Sequence, residues 1–431
     1  MSLKVTLLTP GAGCMFCGAC SYDISLARGL LELGCDVQLI PLYLPLNPED
    51  ERLPGTTDPF FGGVNVFLQQ YCGLFRHTPR VVDRLFDSGP LLRLAARRSA
   101  STEPARLGPM TVSMLEGPDG HQRKELERLL RFLEPGPTPD AVHIPNMLLS
   151  GIAPTLRERL LARIVCGLQG EDEFVDEMPE PHRSRAHDLM RQHARFIDRF
   201  VSPTDAYAVR MAEYLDIPRD RIQTVAPGIS VDDYPLPESR RRQPYTVGYL
   251  SRITAAKGLD LLIDAVFRLI EDGRDVRLKV AGQTADGDYW QTILGKVDES
   301  GLADRVEFVD VPDLKRKVAF LHECSVFSVP SRTSEVRGTV AIEAMTAGLP
   351  VVLPDIGAYH DIIGLTEGGL LFPVGDVGLL ANALALLQDD PDRADRIGLA
   401  AHDAACYHYS DRHLAENMAQ IYRELGRRWP R

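Results

Sequence analysis

The sequence is poor in several features, and each shortage removes a class of protein. No window comes near the roughly 18 consecutive apolar residues of a membrane-spanning helix. No cationic segment leads into a long apolar run and a small-residue cleavage site, since the chain passes almost at once into "KVTLLTP", so secretion is not expected. Cationic charge is in deficit, with 48 Lys and Arg against 60 Asp and Glu and a net charge of −12. Such a surface repels nucleic-acid backbones and anionic membranes, so no nucleic-acid partner is expected and any anion site has to be local. Peripheral contact with a membrane surface stays open. Cysteine is also sparse: 8 in 431 residues is too thin for a disulfide scaffold and suits a reducing cytoplasm. No fixed repeat of the solenoid or propeller kind occurs. What is present is ordinary for a soluble globular chain, 44% hydrophobic and 25% charged. At about 150 residues per domain, the length predicts two or three domains.

Short apolar runs alternate with segments of helical period, the rhythm of βαβ units and parallel sheets. "KVTLLTP", a glycine-containing loop, "SYDISLARGLLELG" and "DVQLIPLY" make one such unit. "AVHIPN", "RIVCGLQ" and "RFVSP" read as further strands of the same sheet. A second series follows the turn-rich stretch "YPLPESRRRQP": the strand "YTVGYLSR", the helix "GLDLLIDAVFRLIEDG", then "VRLKVAG", "RVEFVDV", "SVFSVPS" and "PVVLPDIG". The expected fold is α/β, with two Rossmann-like domains facing each other across a cleft. Residues 1–238 form the first domain and 239–409 the second. The segment from about Asn47 to Gly136 is less regular; it contains a candidate strand, "FFGGVNVFLQQ", and its topology is left unassigned.

Open α/β sheets bind ligands at the carboxyl ends of their strands. In "SEVRGTVAIEAMTAGLPVV" a helix is predicted to start near Gly338 and stop at Gly348, with Pro350 beyond. A helix start offers unpaired N–H groups and a positive dipole end to an anion such as a diphosphate. Glu335 precedes that start and Glu343 lies one turn inside, so their carboxylates can accept hydrogen bonds from hydroxyl groups on either side of it. That is a clamp for the sugar and the ribose of a nucleotide sugar. Glutamates at helix starts also serve as caps and dipole partners, and spacing alone leaves both readings open.

"EVRGTVAIEAMTAGLPVV" resembles the signature of the retaining GT-B glycosyltransferases of family four, the group 1 glycosyltransferases. In that signature two glutamates stand with seven residues between them, and Glu335, Gly338, Glu343, Ala344, Met345, Gly348 and Pro350 match it. Val336, Arg337 and Thr339 depart from it, beside the glutamate that faces the sugar. "VGYLSRITAAKGLDLLIDAV" is similar to a second family segment and places Arg252 and Lys257 on its basic pair, with Ser251 replacing a glycine. The resemblance implies that Glu335 meets the transferred sugar, Glu343 the ribose, and Arg252 and Lys257 the diphosphate, with Gly338 and Thr339 at the helix start and backbone near Val311 able to read the base. It also implies that the last twenty or so residues, as a helix over 410–431, pack on the first domain.

The first half resembles the family less closely. "CGACSYDISLA" places Gly18 on the second glycine of a family pair, and Cys17 replaces the first, so Gly18 is expected to contact donor or acceptor. Gln169 stands after "RIVCGL" where many members have a histidine; it can donate a hydrogen bond to a sugar but cannot take up a proton. "VHIPN" carries Pro145 and Asn146 in place of a second histidine motif. Cys14, Cys17 and Cys20 form a CxxCxxC run with no fourth ligand near in sequence, which favours packing around a glycine loop over a metal or an iron–sulfur cluster.

The expected activity is transfer of a hexose from a nucleoside-diphosphate sugar to an acceptor hydroxyl, on a saccharide, lipid or small molecule. The anomeric configuration is retained, and neither metal nor cofactor is needed. Catalysis is assigned to Arg252, Lys257 and Glu335, and binding to Gly18, Gln169, Val311, Gly338, Thr339 and Glu343. The alternatives are a nucleotide-sugar epimerase of the same fold, a phosphorylase-like enzyme, or a lapsed nucleotide-sugar-binding protein.

Overall fold

In both halves the short apolar runs become parallel strands, most of them buried, although Val306–Val309 at the edge of the second sheet has no buried residue. The computed structural model describes residues 2–10, 18–43, 104–238, 244–311 and 313–427. The candidate strand "FFGGVNVFLQQ", Cys14 and Cys17 lie outside them. Packing divides the chain into two units, Met1–Gly228 with Asp411–Arg431, and Ile229–Ser410.

The described order of the first unit is β1 (Lys4–Thr9), α1 (Gly18–Glu32), β2 (Asp36–Pro41), α2 (Pro104–Leu115), α3 (Arg123–Leu133), β3 (Ala141–Ile144), α4 (Ala153–Leu160), β4 (Arg163–Gly167), α5 (Glu171–Asp176), α6 (His182–His193), β5 (Arg199–Ser202), α7 (Asp205–Leu215) and β6 (Ile222–Thr224). The strands form a parallel sheet in the order β2-β1-β3-β4-β5-β6. All four residues of β3 are buried, which is why such strands read as continuous apolar runs rather than alternating ones.

The helix Asp411–Arg427 belongs to this unit. Its Leu414, Met418, Ile421, Tyr422 and Leu425, which share one face of the helix, join a core with Leu7, Leu26, Leu30 and Val165. Each fully buried Leu, Met or Ile there contributes about 1.5–3 kcal/mol. The Tyr422 hydroxyl lies 2.7 Å from His143 Nδ1 on β3. Burial disfavours the imidazolium and lowers the His143 pKa to about 4, so this ring is neutral.

The second unit runs β7 (Tyr245–Leu250), α8 (Leu259–Glu271), β8 (Val276–Ala281), α9 (Gly287–Glu299), β9 (Val306–Val309), α10 (Leu314–His322), β10 (Val326–Phe327), α11 (Thr339–Thr346), β11 (Val351–Pro354), α12 (Ala358–Thr366), β12 (Gly369–Phe372), α13 (Val377–Asp389) and α14 (Pro391–His408). Its sheet is again parallel, in the order β12-β11-β10-β7-β8-β9. The two-unit α/β reading is therefore borne out. Strand order reverses between β1 and β3 in one sheet and between β10 and β7 in the other, and crevices for ligands open at such switch points. Among the described residues no helix is long and apolar enough to cross a membrane.

Candidate functional site

In the second unit the loops leaving β7 and β10 flank the switch point, and they carry the charged residues singled out by the sequence. After β7, Arg252 is exposed and Lys257 ends a short 3-10 turn, Ala255–Lys257. After β10 the chain runs through Ser331 to Glu335 and enters α11 at Gly338. The structure brings Lys257 and Glu335 together as an ion pair, both side chains being less than one-fifth exposed. The Ser331 hydroxyl donates to the same oxygen, Glu335 Oε1, at 3.0 Å. On the other side the Glu335 carbonyl accepts the N–H of Ala358, which starts α12, at 2.8 Å.

Gly338 is required where it stands. Its φ of +62° is left-handed, and a Cβ there would come within 2.4 Å of Ile362 Cδ1. The turn releases the chain into α11, whose first N–H groups, at the half-buried Thr339 and at Val340, have no carbonyl behind them within the helix. The helix is apolar on most of its circumference and is buried accordingly, with Ala341, Ile342, Ala344 and Met345 all inaccessible. Glu343 is the exception in character, a carboxylate only 7% exposed. Its Oε1 accepts two hydrogen bonds, from the Tyr234 hydroxyl at 2.8 Å and from Lys317 Nζ at 2.8 Å. Its Oε2 is buried without a hydrogen-bond donor among the described residues. Burial and the carboxylate beside it push the Tyr234 phenol far above its ordinary range, so Tyr234 acts only as a neutral donor. A buried acceptor without a donor is costly, and a ligand hydroxyl would satisfy it. Val311 lies half-buried just past β9.

In the first unit Gly18 is the first residue of α1, on the connection that leaves β1 at the switch point. Gln169 follows β4, and its N–H donates to Glu171 Oε2 at 2.6 Å. Glu171 Oε1 accepts the Met147 N–H at 3.1 Å, so one buried carboxylate joins the loops that follow β3 and β4. Burial raises the Glu171 pKa to about 7, and these N–H donors only partly offset it. Next to it, the buried Asp172 accepts from the Tyr207 hydroxyl at 2.6 Å and pairs with Arg210 at 2.5 Å. Cys20 is buried, and among the described residues no group of three His, Cys, Asp or Glu is placed to hold a metal ion.

Some partners were not visible in the sequence. Tyr234 and Lys317 come to Glu343 from segments 109 and 26 residues away, and no local period announces them. Glu171 stands two residues past Gln169, where a carboxylate just beyond a strand-end loop can accept that loop's N–H.

The family model "Glycosyl transferases group 1" matches residues 235–403, and "Glycosyl transferase 4-like domain" matches residues 24–228. The D-inositol 3-phosphate glycosyltransferase of Nocardia farcinica is 30% identical over 240 residues, 52% of this chain and 52% of that protein. The phosphatidyl-myo-inositol mannosyltransferase of Mycobacterium leprae is 32% identical over 183 residues, 42% of this chain and 47% of that protein. The chain thus spans about half the length of these relatives. Anabaena HepE, solved in complex with UDP and glucose, superposes with a TM-score of 0.67 at 16% identity, covering 97% of this chain and 99% of that one, a likeness of fold. Taken with the two parallel sheets, these matches show that the chain belongs to the group 1 glycosyltransferases and has their GT-B fold.

Proposed function

We propose that the protein transfers a hexose from a nucleoside-diphosphate sugar to an acceptor hydroxyl with retention of anomeric configuration and without a metal ion or cofactor. The observation that carries the reading is Glu343, whose second oxygen is buried and without a donor among the described residues, one turn inside the helix that Glu335 precedes. Glu343 Oε2 would accept the ribose hydroxyls, and the N–H groups opening α11 at Thr339 would face the diphosphate. Glu335 would hold the sugar, and backbone near Val311 the base. Lys257 and Arg252 would neutralise the charge that grows on the diphosphate as it leaves. The bond from the anomeric carbon to the β-phosphate oxygen breaks while the bond to the acceptor oxygen forms on the same face. The acceptor's proton passes to the departing phosphate, so no side chain has to serve as base or nucleophile. Gly18 would contact donor or acceptor, and Gln169 would donate a hydrogen bond to a sugar hydroxyl.

The relatives' names and the UDP and glucose bound to HepE support a nucleotide-sugar donor, and they make inositol phosphates and inositol lipids the first acceptors to try. Cys35, Cys166 and Cys406 are thiols, which supports a cytoplasmic setting. The test is incubation with UDP-, GDP- and ADP-hexoses and an acceptor panel under chelation, with the product's anomeric coupling read by proton NMR. Product with the donor's configuration is expected. An inverted product, or activity that chelation abolishes, would overturn retention or metal independence respectively.

A further inference from the structure

One side chain ties together the two loops that flank the second switch point. Arg332 follows Ser331, which itself donates to Glu335. The Arg332 backbone N–H donates to the Ala256 carbonyl at 2.8 Å. Its Nη1 donates to the Ala255 carbonyl at 2.7 Å and to Asp260 Oδ1 at 2.8 Å, and its Nη2 donates to Asp260 Oδ2 at 2.5 Å. Asp260, in the first turn of α8, is held in turn by Tyr289 of α9. The Tyr289 hydroxyl donates to Asp260 Oδ1 at 2.5 Å and accepts the Asp260 N–H at 3.1 Å. Lys257 sits between the two anchored points, Ala255 and Asp260. Behind it, Gly258 has a φ of +68°, and a Cβ there would stand 2.1 Å from the Pro330 carbonyl oxygen. The turn bearing Lys257 is thus pressed against the loop bearing Glu335 and fastened to it at both ends.

We infer that Arg332 is a positioning residue for the donor site: its fork, shared between the Ala255 carbonyl and the Asp260 carboxylate, sets the turn that aims Lys257 at Glu335. The arrangement needs the planar guanidinium, because an ammonium cannot reach a carbonyl and both carboxylate oxygens from fixed directions. Stability is a weak explanation for it, since Arg332 is 36% exposed and a half-exposed ion pair contributes little. The role in donor binding rests on the nucleotide-sugar reading above, whereas the fastening of the Lys257 turn does not.

Two measurements separate those parts. The first is peptide-resolved acetylation of Lys257 in the parent, Arg332→Gln, Arg332→Lys and Asp260→Asn, with Lys124 and Lys279 as internal controls. All three variants should acetylate Lys257 several-fold faster and the controls at the parent rate, and Asp260→Asn keeps the test open if an Arg332 variant fails to fold. The second is the affinity of the full chain for UDP, GDP and ADP and for the matching monophosphates. Arg332→Gln should weaken the diphosphate roughly tenfold and spare the monophosphate. The Lys257→Ala/Arg332→Gln double variant should bind no more weakly than Lys257→Ala alone. Unchanged acetylation of Lys257, or additive losses in the double variant, would overturn the inference. If the parent binds no diphosphate, the donor reading fails, and the acetylation rates still decide whether Arg332 fastens the turn.

Discussion

Glu343 offers the sharpest quantitative test, because its two oxygens are in different circumstances. Oε1 is engaged by Tyr234 and Lys317, each at 2.8 Å, while Oε2 is buried with no donor among the described residues. Glu343→Gln keeps an amide oxygen for Tyr234 and Lys317 and replaces the open acceptor with an NH2. A hydrogen bond to a charged group contributes about 1.5–3 kcal/mol and a neutral one about 0.5–1.5 kcal/mol, so the change should cost about 1–1.5 kcal/mol of nucleotide affinity. That is about five- to tenfold in Kd. Glu343→Ala removes the bond altogether and should cost about 1.5–3 kcal/mol, or about ten- to 150-fold. Calorimetric titration with whichever nucleoside diphosphate binds the parent measures both, with thermal melting alongside to show that α11 survives. The diagnostic comparison uses the 2′- and 3′-deoxy nucleotides. They should lose affinity for the parent and lose nothing further for Glu343→Ala. Equal Kd for parent and Glu343→Ala, or the same deoxy penalty in both, would refute the ribose assignment.

Arg252→Ala should lower kcat about a hundredfold with the fold intact, since the exposed side chain carries no packing; steady-state kinetics at saturating donor check it, and an unchanged kcat removes Arg252 from the site. Glu171 titrates at about 7 in the folded chain against an ordinary 4.5, so between those values the folded state holds a proton that the unfolded chain has released. Its contribution therefore falls as pH rises through that window, by about 3 kcal/mol in all, and Glu171→Gln should gain that much on the parent between pH 4.5 and 8. Hydrogen-exchange mass spectrometry of the β3 and β4 peptides reads the difference, and a pH-independent offset would contradict it. His143 runs the opposite way: with its pKa near 4 when folded against 6.5, it makes the unfolded chain the better proton binder and costs stability as pH falls through that interval. Leu414→Ala, at a side chain 1% exposed, should cost about 2–5 kcal/mol in urea unfolding, and a loss under 1 kcal/mol would mean that the helix over Asp411–Arg427 contributes little to the first unit's core.

The fold was legible wherever one strand and one helix each had room to show a period. "YTVGYLSR" and "GLDLLIDAVFRLIEDG" became β7 and α8, and the Gly338 and Gly348 signals delimited α11. Short elements were missed. β6 and β12 have 3 and 4 residues, and neither run stands out from its loop. In the unassigned segment, α3 did carry a signal, with Leu126, Leu129, Leu130 and Leu133 on one face, whereas Pro109 and scattered apolar residues blur α2. The site divides the same way. Glu335, Glu343 and Lys257 were singled out because they stand in local motifs that resemble the family's signature segments. Lys317, Tyr234 and Asp260 were not, because each reaches its carboxylate or guanidinium partner from another element, and only the closed fold brings such groups within 3 Å.

The most direct test is calorimetric titration of the full chain with UDP, GDP and ADP in the presence of a chelator. One nucleoside diphosphate should bind well ahead of the other two, with the same Kd whether or not divalent cations are supplied. If none of the three binds, Glu335 and Glu343 are acids of a helix start and nothing more, and the nucleotide-sugar site is contradicted.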